Sequence, residues 1–181
     1  MRLTYTLSEN DYLQYQLFIA SKNERIKKER IKSWLIYSAS LLLMSFVFYD
    51  IGNKFMTYFL LVFGIIVLCF FPLYQKRYYK NHYQKFITET YKNRFGKAGN
   101  IYIAENHIEV NDITGEAKIN LTEIENAIET SAYFYLKIKT GGHFIIPKKQ
   151  LNEIENIGQE LKKLCSKFSI DFVEDFNWRW K

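Results

Sequence analysis

Two uncharged stretches decide the fold: S-W-L-I-Y-S-A-S-L-L-L-M-S-F-V-F-Y at residues 33–49 and F-M-T-Y-F-L-L-V-F-G-I-I-V-L-C-F-F-P-L-Y-Q at residues 55–75. As helices they extend about 25 Å and about 31 Å at the usual rise per residue. A bilayer core is about 30 Å thick, so the second stretch fits and the first is slightly short. Lys32 at its start can snorkel, and Trp34 and Tyr49 suit the two interfaces. The five residues between the stretches, D-I-G-N-K at 50–54, make the pair an antiparallel hairpin. A buried hairpin in a soluble protein is the alternative. It would need the other residues to cover two helices that are apolar all round, which disfavours it.

The charges lie beside these stretches. Residues 22–32 carry Lys22, Arg25, Lys27, Lys28, Arg30 and Lys32 against Glu24 and Glu29. Beyond the second stretch come Lys76, Arg77, Lys80 and Lys85 before the first acid, Glu89. The connection holds one Asp and one Lys. The positive-inside rule then places both termini in the cytoplasm and the connection outside. Residues 1–95 are net +8 and residues 96–181 net −2, within a chain total of +6 over 181 residues. The basic excess is therefore local, and a dedicated nucleic-acid face is not expected. The polar first 32 residues do not read as a cleavable signal peptide. Two cysteines, Cys69 and Cys165, make no disulfide framework. The N-L-T sequon at Asn120 would matter only in the opposite topology.

The flanking segments read as mixed structure. Residues 3–7, L-T-Y-T-L, alternate like a short strand, and Ser8 with Asp11 three positions on resembles a capping box. A helix is expected from Glu9 towards Lys32. Residues 76–95 continue the second stretch, with Tyr79, Tyr83, Phe86, Thr90 and Tyr91 at helical spacing. That stripe either lies on the membrane surface or packs on the N-terminal helix, and packing is favoured. From residue 100, six short runs separated by turns read as an antiparallel meander curling into a sandwich or open barrel, with residues 3–7 as a seventh strand at an edge. Leu151, Ile154, Gly158, Leu161, Cys165 and Phe168 recur at three and four and read as a closing helix at 149–168.

This order, with I-N-L-T-E-I-E-N-A-I-E-T at 119–130, Y-F-Y-L at 133–136 and F-I-I-P-K-K at 144–149, resembles the YcxB-like family of bacterial membrane proteins. The opening L-T-Y-T-L-S-E-N-D-Y matches as well, and the similarity runs along nearly the whole chain. The family often has Trp where Leu121 stands, so that corner is expected to pack differently. The resemblance implies a C-terminal domain similar to a bacterial pleckstrin-homology domain, a barrel of strands capped by a helix. It implies no activity and carries no catalytic residue to any position. The expected fold is α+β: a two-helix transmembrane hairpin plus a small antiparallel β-barrel or sandwich with a C-terminal helix. The divisions are an N-terminal strand and helix at 1–32, the hairpin at 33–75, a juxtamembrane helix at 76–95, the pleckstrin-homology-like domain at 96–170 and an aromatic tail at 171–181.

No constellation for catalysis, metal or cofactor stands out. His82, His107 and His143 lack metal-ligand spacing, although His107 and His143 lie near turns and can meet in space. Cys69 and Cys165 read as inert. Glu123, Glu125, Glu129, Glu153 and Glu155 read as a solvated face, and Ser38, Ser40, Ser45 and Gly64 as helix-packing positions. The tail, D-F-V-E-D-F-N-W-R-W-K, folds on the domain, touches the membrane interface or meets a partner. Candidate anionic-lipid contacts are Lys27, Lys28, Arg30, Lys32, Lys76, Arg77 and Lys80. Candidate interfacial aromatics are Trp34, Tyr49, Tyr74, Trp178 and Trp180. The expected partners are the lipid bilayer and a protein or peptide, with no cofactor and no nucleic acid. The expectation is a non-enzymatic, multi-pass protein of the bacterial cytoplasmic membrane that carries a cytoplasmic binding module. A regulatory subunit of a membrane transport or envelope-stress complex is the alternative, and a membrane enzyme is the least favoured reading.

Overall fold

The computed structural model describes residues 1–113 and 115–181. The chain folds as an α+β protein with two compact units, one comprising residues 1–15 with 87–179 and the other residues 16–86 with 180–181.

The first unit holds two four-stranded sheets. Strands β1 (Arg2–Thr6), β2 (Ala98–Ile103), β3 (His107–Asp112) and β4 (Gly115–Asn120) form one antiparallel sheet in that order. Strands β5 (Ile124–Thr130), β6 (Tyr133–Ile138) and β7 (His143–Pro147) form the second, joined by β8 (Asp171–Asp175) in the order β7-β6-β5-β8. The alternation of residues 3–7 sets the register of β1. Leu3 and Tyr5 are buried while Arg2, Thr4 and Thr6 face outward, and Leu3 lies opposite Ile101. The opening strand thus occupies a sheet edge, as its pattern predicts. The expected turn D-I-T-G between β3 and β4 includes Thr114, which lies outside the described residues.

Inward side chains of both sheets meet in one core. Ile101, Ile103 and Ile108 from the first sheet join Ala127, Phe134, Leu136 and Ile146 from the second. Helix α4 (Ile154–Lys167) adds Ile157, Leu161 and Cys165, the stripe expected of it. It starts later than residue 149 because a short 3-10 turn occupies Lys148–Gln150. Burial pushes the Cys165 thiol up to about 11, which suits an inert packed cysteine. Leu121 is buried in the same core.

Within the sheets, two features depart from the sequence reading. Asp171–Asp175 forms β8, parallel to β5, with Phe172 opposite Ala127 and Val173 opposite Ile128. Three of its five residues are acidic, so it carries no alternating signal. Helix α4 returns the chain as a crossover, the connection that parallel pairing requires. The sheet is therefore mixed rather than wholly antiparallel, and this part of the tail folds on the domain. Glu129 is the second correction, because it does not lie on a solvated face. Its Oε1 accepts a bond from Lys148 Nζ at 2.7 Å, and the two side chains are 11% and 9% exposed. The Lys148 ammonium also lies 4.6 Å from the Phe134 ring centre and 5.3 Å from that of Phe176. Burial of the carboxylate is sustained by the buried cation beside it.

Helix α1 (Glu9–Lys22) begins with the expected cap. Asp11 Oδ2 accepts from Ser8 N at 2.8 Å and from Ser8 Oγ at 2.6 Å. Asp11 is fully buried, and its Oδ1 accepts from Tyr133 Oη at 2.8 Å and Lys149 Nζ at 3.3 Å. Burial alone would raise this carboxyl. The Ser8 and Tyr133 hydrogen bonds with Lys149 outweigh it and hold Asp11 below the usual range. In the same unit Tyr12 stacks on Tyr91 at 4.9 Å, and Thr88 Oγ1 donates to Glu9 Oε1. The end of the aromatic stripe thus packs on the N-terminal helix. His107 and His143 have separate neighbours: Glu109 lies 3.0 Å from His107 Nε2, whereas the His143 ring lies 5.1 Å from that of Tyr15.

The second unit is the hairpin of α2 (Glu24–Asp50) and α3 (Lys54–Tyr91). The expected single helix from Glu9 to Lys32 is broken at Asn23, whose Oδ1 accepts from Arg25 N and Ile26 N and caps α2. Ile51, Gly52 and Asn53 join the helices. Gly52 sits at φ +81°, and Asn53 Oδ1 accepts from Met56 N. At 38 residues α3 is about 57 Å long, well beyond a bilayer core of about 30 Å. Small residues seat the helices together. Ser38 and Ser45 are buried, Ser45 Oγ donates to Thr57 O at 2.8 Å, and a Cβ on Gly64 would lie 3.1 Å from Leu42 Cδ2. Ser40 departs from that expectation: it is exposed and donates back to Tyr37 O.

Candidate membrane-interface site

The base of the hairpin is where sequence-marked residues converge. Pro72 lies inside α3 and lacks an N–H, so the Leu68 carbonyl one turn earlier loses its helical donor. Trp34 of α2 supplies a replacement, its indole Nε1 donating to Leu68 O at 3.0 Å. One turn along, Gln75 is buried and its Nε2 donates to Arg30 O at 3.0 Å and Ser33 Oγ at 2.9 Å. These bonds set the separation of α2 and α3 where the apolar stretches end. The gap between them is a pocket of about 300 Å³ lined by Lys27, Arg30, Ile31, Trp34, Pro72 and Gln75.

Arg30 is the most constrained cation of this base. Its guanidinium carbon lies 4.9 Å from the Trp180 ring centre and 5.7 Å from that of Tyr79. Trp180 is itself held by its Nε1, which donates to Lys76 O at 3.1 Å. Arg30 Nη2 donates to the Lys181 main-chain oxygen at 2.9 Å, while Nε is buried without a partner among the described residues. A guanidinium held against aromatic faces keeps its charge and its in-plane N–H donors, which suit carboxylate and phosphate oxygens. Lys27 pairs with Glu24 at 2.7 Å, but that pair is largely exposed and worth little.

The other marked residues are placed differently. Lys28 and Lys32 on α2 and Lys76, Arg77 and Lys80 on α3 are exposed and form a looser basic surface. Tyr74 is exposed on α3, its ring against Phe71 and Tyr78. Tyr49 lies 19 residues beyond Arg30 on α2, about 29 Å along the helix, so it marks the opposite end of the hairpin. Trp178 is half-buried in the sheet unit, in the turn after β8. Gln75, Pro72, Ile31 and Tyr79 are site residues that the sequence reading does not single out as such. The signal for one of them was present: a proline inside a helix orphans the carbonyl four residues earlier, and the partner helix must supply a donor.

Outside the base, the hairpin surface is apolar. Leu43 is 67% exposed, Phe46 65%, Phe55 73% and Val62 55%. Only 11% of the most apolar window in each helix is buried, whereas a core helix would be mostly covered. Both helices are long and apolar enough to cross a membrane. Among the described residues, no group of three or more His, Cys, Asp or Glu side chains converges to hold a metal ion.

Neither the curated proteins nor the solved structures yield a match to the chain. Residues 103–164, from the end of β2 to the last turn of α4, match the family described as YcxB-like protein, and over that segment the chain carries a YcxB-like domain.

Proposed function

We propose that the chain is an integral protein of the bacterial cytoplasmic membrane, anchored by the α2–α3 hairpin, which holds a YcxB-like domain in the cytoplasm as a non-catalytic binding module. The observation that carries this reading is the exposed apolar surface of both helices. Contiguous apolar surface of that extent is not left in water. The polar groups of the hairpin support it too, because Ser45 and Trp34 spend their donors on backbone carbonyls between the helices, as lipid demands. The basic residues cluster at the end where α2 begins and α3 leaves, which favours a cytoplasmic base.

The sheet unit suits recognition of a protein or peptide. Among the described residues β4 pairs with β3 on one side only, which leaves its other edge for strand addition. The outer face of the first sheet presents Arg2, Tyr102, Glu109 and Lys118 around a shallow depression.

The test is partition and labelling of the full chain in native membranes. Carbonate washing leaves it in the pellet, Asn53→Cys reacts with an impermeant maleimide in intact cells, and Glu116→Cys reacts only after permeabilisation. Release by carbonate would overturn the anchor, and labelling of Glu116→Cys in intact cells would overturn the orientation.

A further inference from the structure

We infer that the base of the hairpin is a binding site for one anionic phospholipid, its phosphodiester on Lys27 and Arg30 and the first part of its chains along Ile31, Trp34 and Pro72. This assignment rests on the membrane reading above and adds to it a defined ligand site.

Three observations carry the inference. First, the pocket is graded along the helix axis. Lys27 and Arg30 lie at its polar end, and Ile31, Trp34 and Pro72 follow where the uncharged stretches of both helices begin and end. A membrane lipid has that same order, charged head and then hydrocarbon. Second, Arg30 is held in place before any ligand arrives, through Trp180 and Tyr79, so little side-chain entropy remains to be lost on binding. Its Nε is a buried donor without a partner among the described residues, and Nη2 is anchored to the Lys181 main-chain oxygen. Third, the gap beside Pro72 is bounded by two fixed bonds between the helices, Trp34 Nε1 to Leu68 O and Gln75 Nε2 to Arg30 O. A volume of about 300 Å³ takes a headgroup phosphate and glycerol, and the chains continue onto the exposed apolar surface of the helices.

A diffuse basic collar also attracts anionic lipid, and two properties separate the two mechanisms. Collar attraction treats all exposed cations alike and is screened within about 4 Å in 0.5 M salt. A desolvated phosphate–guanidinium contact depends on Arg30 and survives salt.

The experiment uses the full chain in vesicles of phosphatidylcholine with either brominated-chain phosphatidylglycerol or brominated-chain phosphatidylcholine, reading tryptophan quenching in 0.1 and 0.5 M NaCl. Wild type is expected to prefer phosphatidylglycerol at both salt concentrations. Arg30→Gln is expected to lose about fivefold of that preference or more, from one charge near the surface, and to keep none at high salt. Lys27→Gln should weaken it in the same direction, and Arg77→Gln, outside the pocket, should leave the high-salt preference intact. Equal losses for Arg30→Gln and Arg77→Gln, or no preference in wild type at 0.5 M NaCl, would overturn the site. Full competition by millimolar soluble glycerol phosphate would overturn the lipid as its occupant. Carbonate partition of the same membranes keeps the two readings apart. Wild type in the pellet with equal variants sinks only the lipid site, whereas wild type in the supernatant sinks the anchor and the lipid site together.

Discussion

Replacing Trp34 by Phe should destabilise the hairpin, and replacing Pro72 by Ala should make that change nearly harmless. Phe retains most of the ring area and removes only the indole donor. The Leu68 carbonyl, 3.0 Å from Trp34 Nε1, is then left without a partner, because Pro72 offers no N–H to it. A carbonyl left unpaired where lipid replaces water costs about 1–3 kcal/mol, and interhelical hydrogen bonds within membranes lie at the lower end of such values. The expected loss is therefore about 1–1.5 kcal/mol. In the Pro72→Ala background the helix supplies its own N–H to Leu68, and Trp34→Phe should cost only a few tenths. The coupling between the two sites is then about 1 kcal/mol. Steric trapping of the full chain in bicelles measures all four free energies. Equal costs of Trp34→Phe in the two backgrounds would refute the reasoning, since the indole would not be serving the carbonyl that proline frees.

Other consequences concern the sheet unit. Lys148→Met leaves the Glu129 carboxylate buried without its cation and should cost about 3–5 kcal/mol, and adding Glu129→Leu should restore much of it in the same unfolding measurement. His143 is held down to about 4, by burial first and then by the nearby Lys137 charge. The unfolded chain binds a proton near pH 6.5 and the folded one only near 4, so this residue makes stability fall as pH drops from 6.5 to 4. A His143→Gln chain should show a flatter melting profile across that window, and an unchanged slope would count against the assignment. Removing residues 1–8 takes Leu3 and Tyr5 out of the core, at about 1.5–3 kcal/mol each. Amides of Ile101 and Ile103 should then exchange faster in the full chain, and unaltered protection would show that β1 is dispensable.

The overall architecture was legible because it is written in local patterns. Uncharged runs long enough to reach across lipid, period-two strands and the three-four stripe of α4 each need only neighbours in sequence. The opening strand belongs to that class: alternation of Leu3, Tyr5 and Leu7 marks it, and its pairing with β2 places it at an edge. Strand β8 was not legible. Asp171, Glu174 and Asp175 give no strand pattern, so the tail's place stayed open, and only a crossover through α4 brings them beside β5.

The same division holds for the hairpin base and the ion pairs. Sequence alone determined that basic and aromatic residues flank both apolar runs, because charge and hydropathy are properties of single positions. Tertiary structure decided which of them meet. Arg30 comes to lie on Tyr79 and on Trp180, 150 residues away, and Glu129 of β5 leaves the solvent for Lys148, which follows β7. Trp34 finds the one carbonyl that Pro72 strips of its donor. Each pairing depends on how two elements are seated against each other, which no single position records, and the cost of an unpaired polar group in a dry contact favours the seatings that supply these partners.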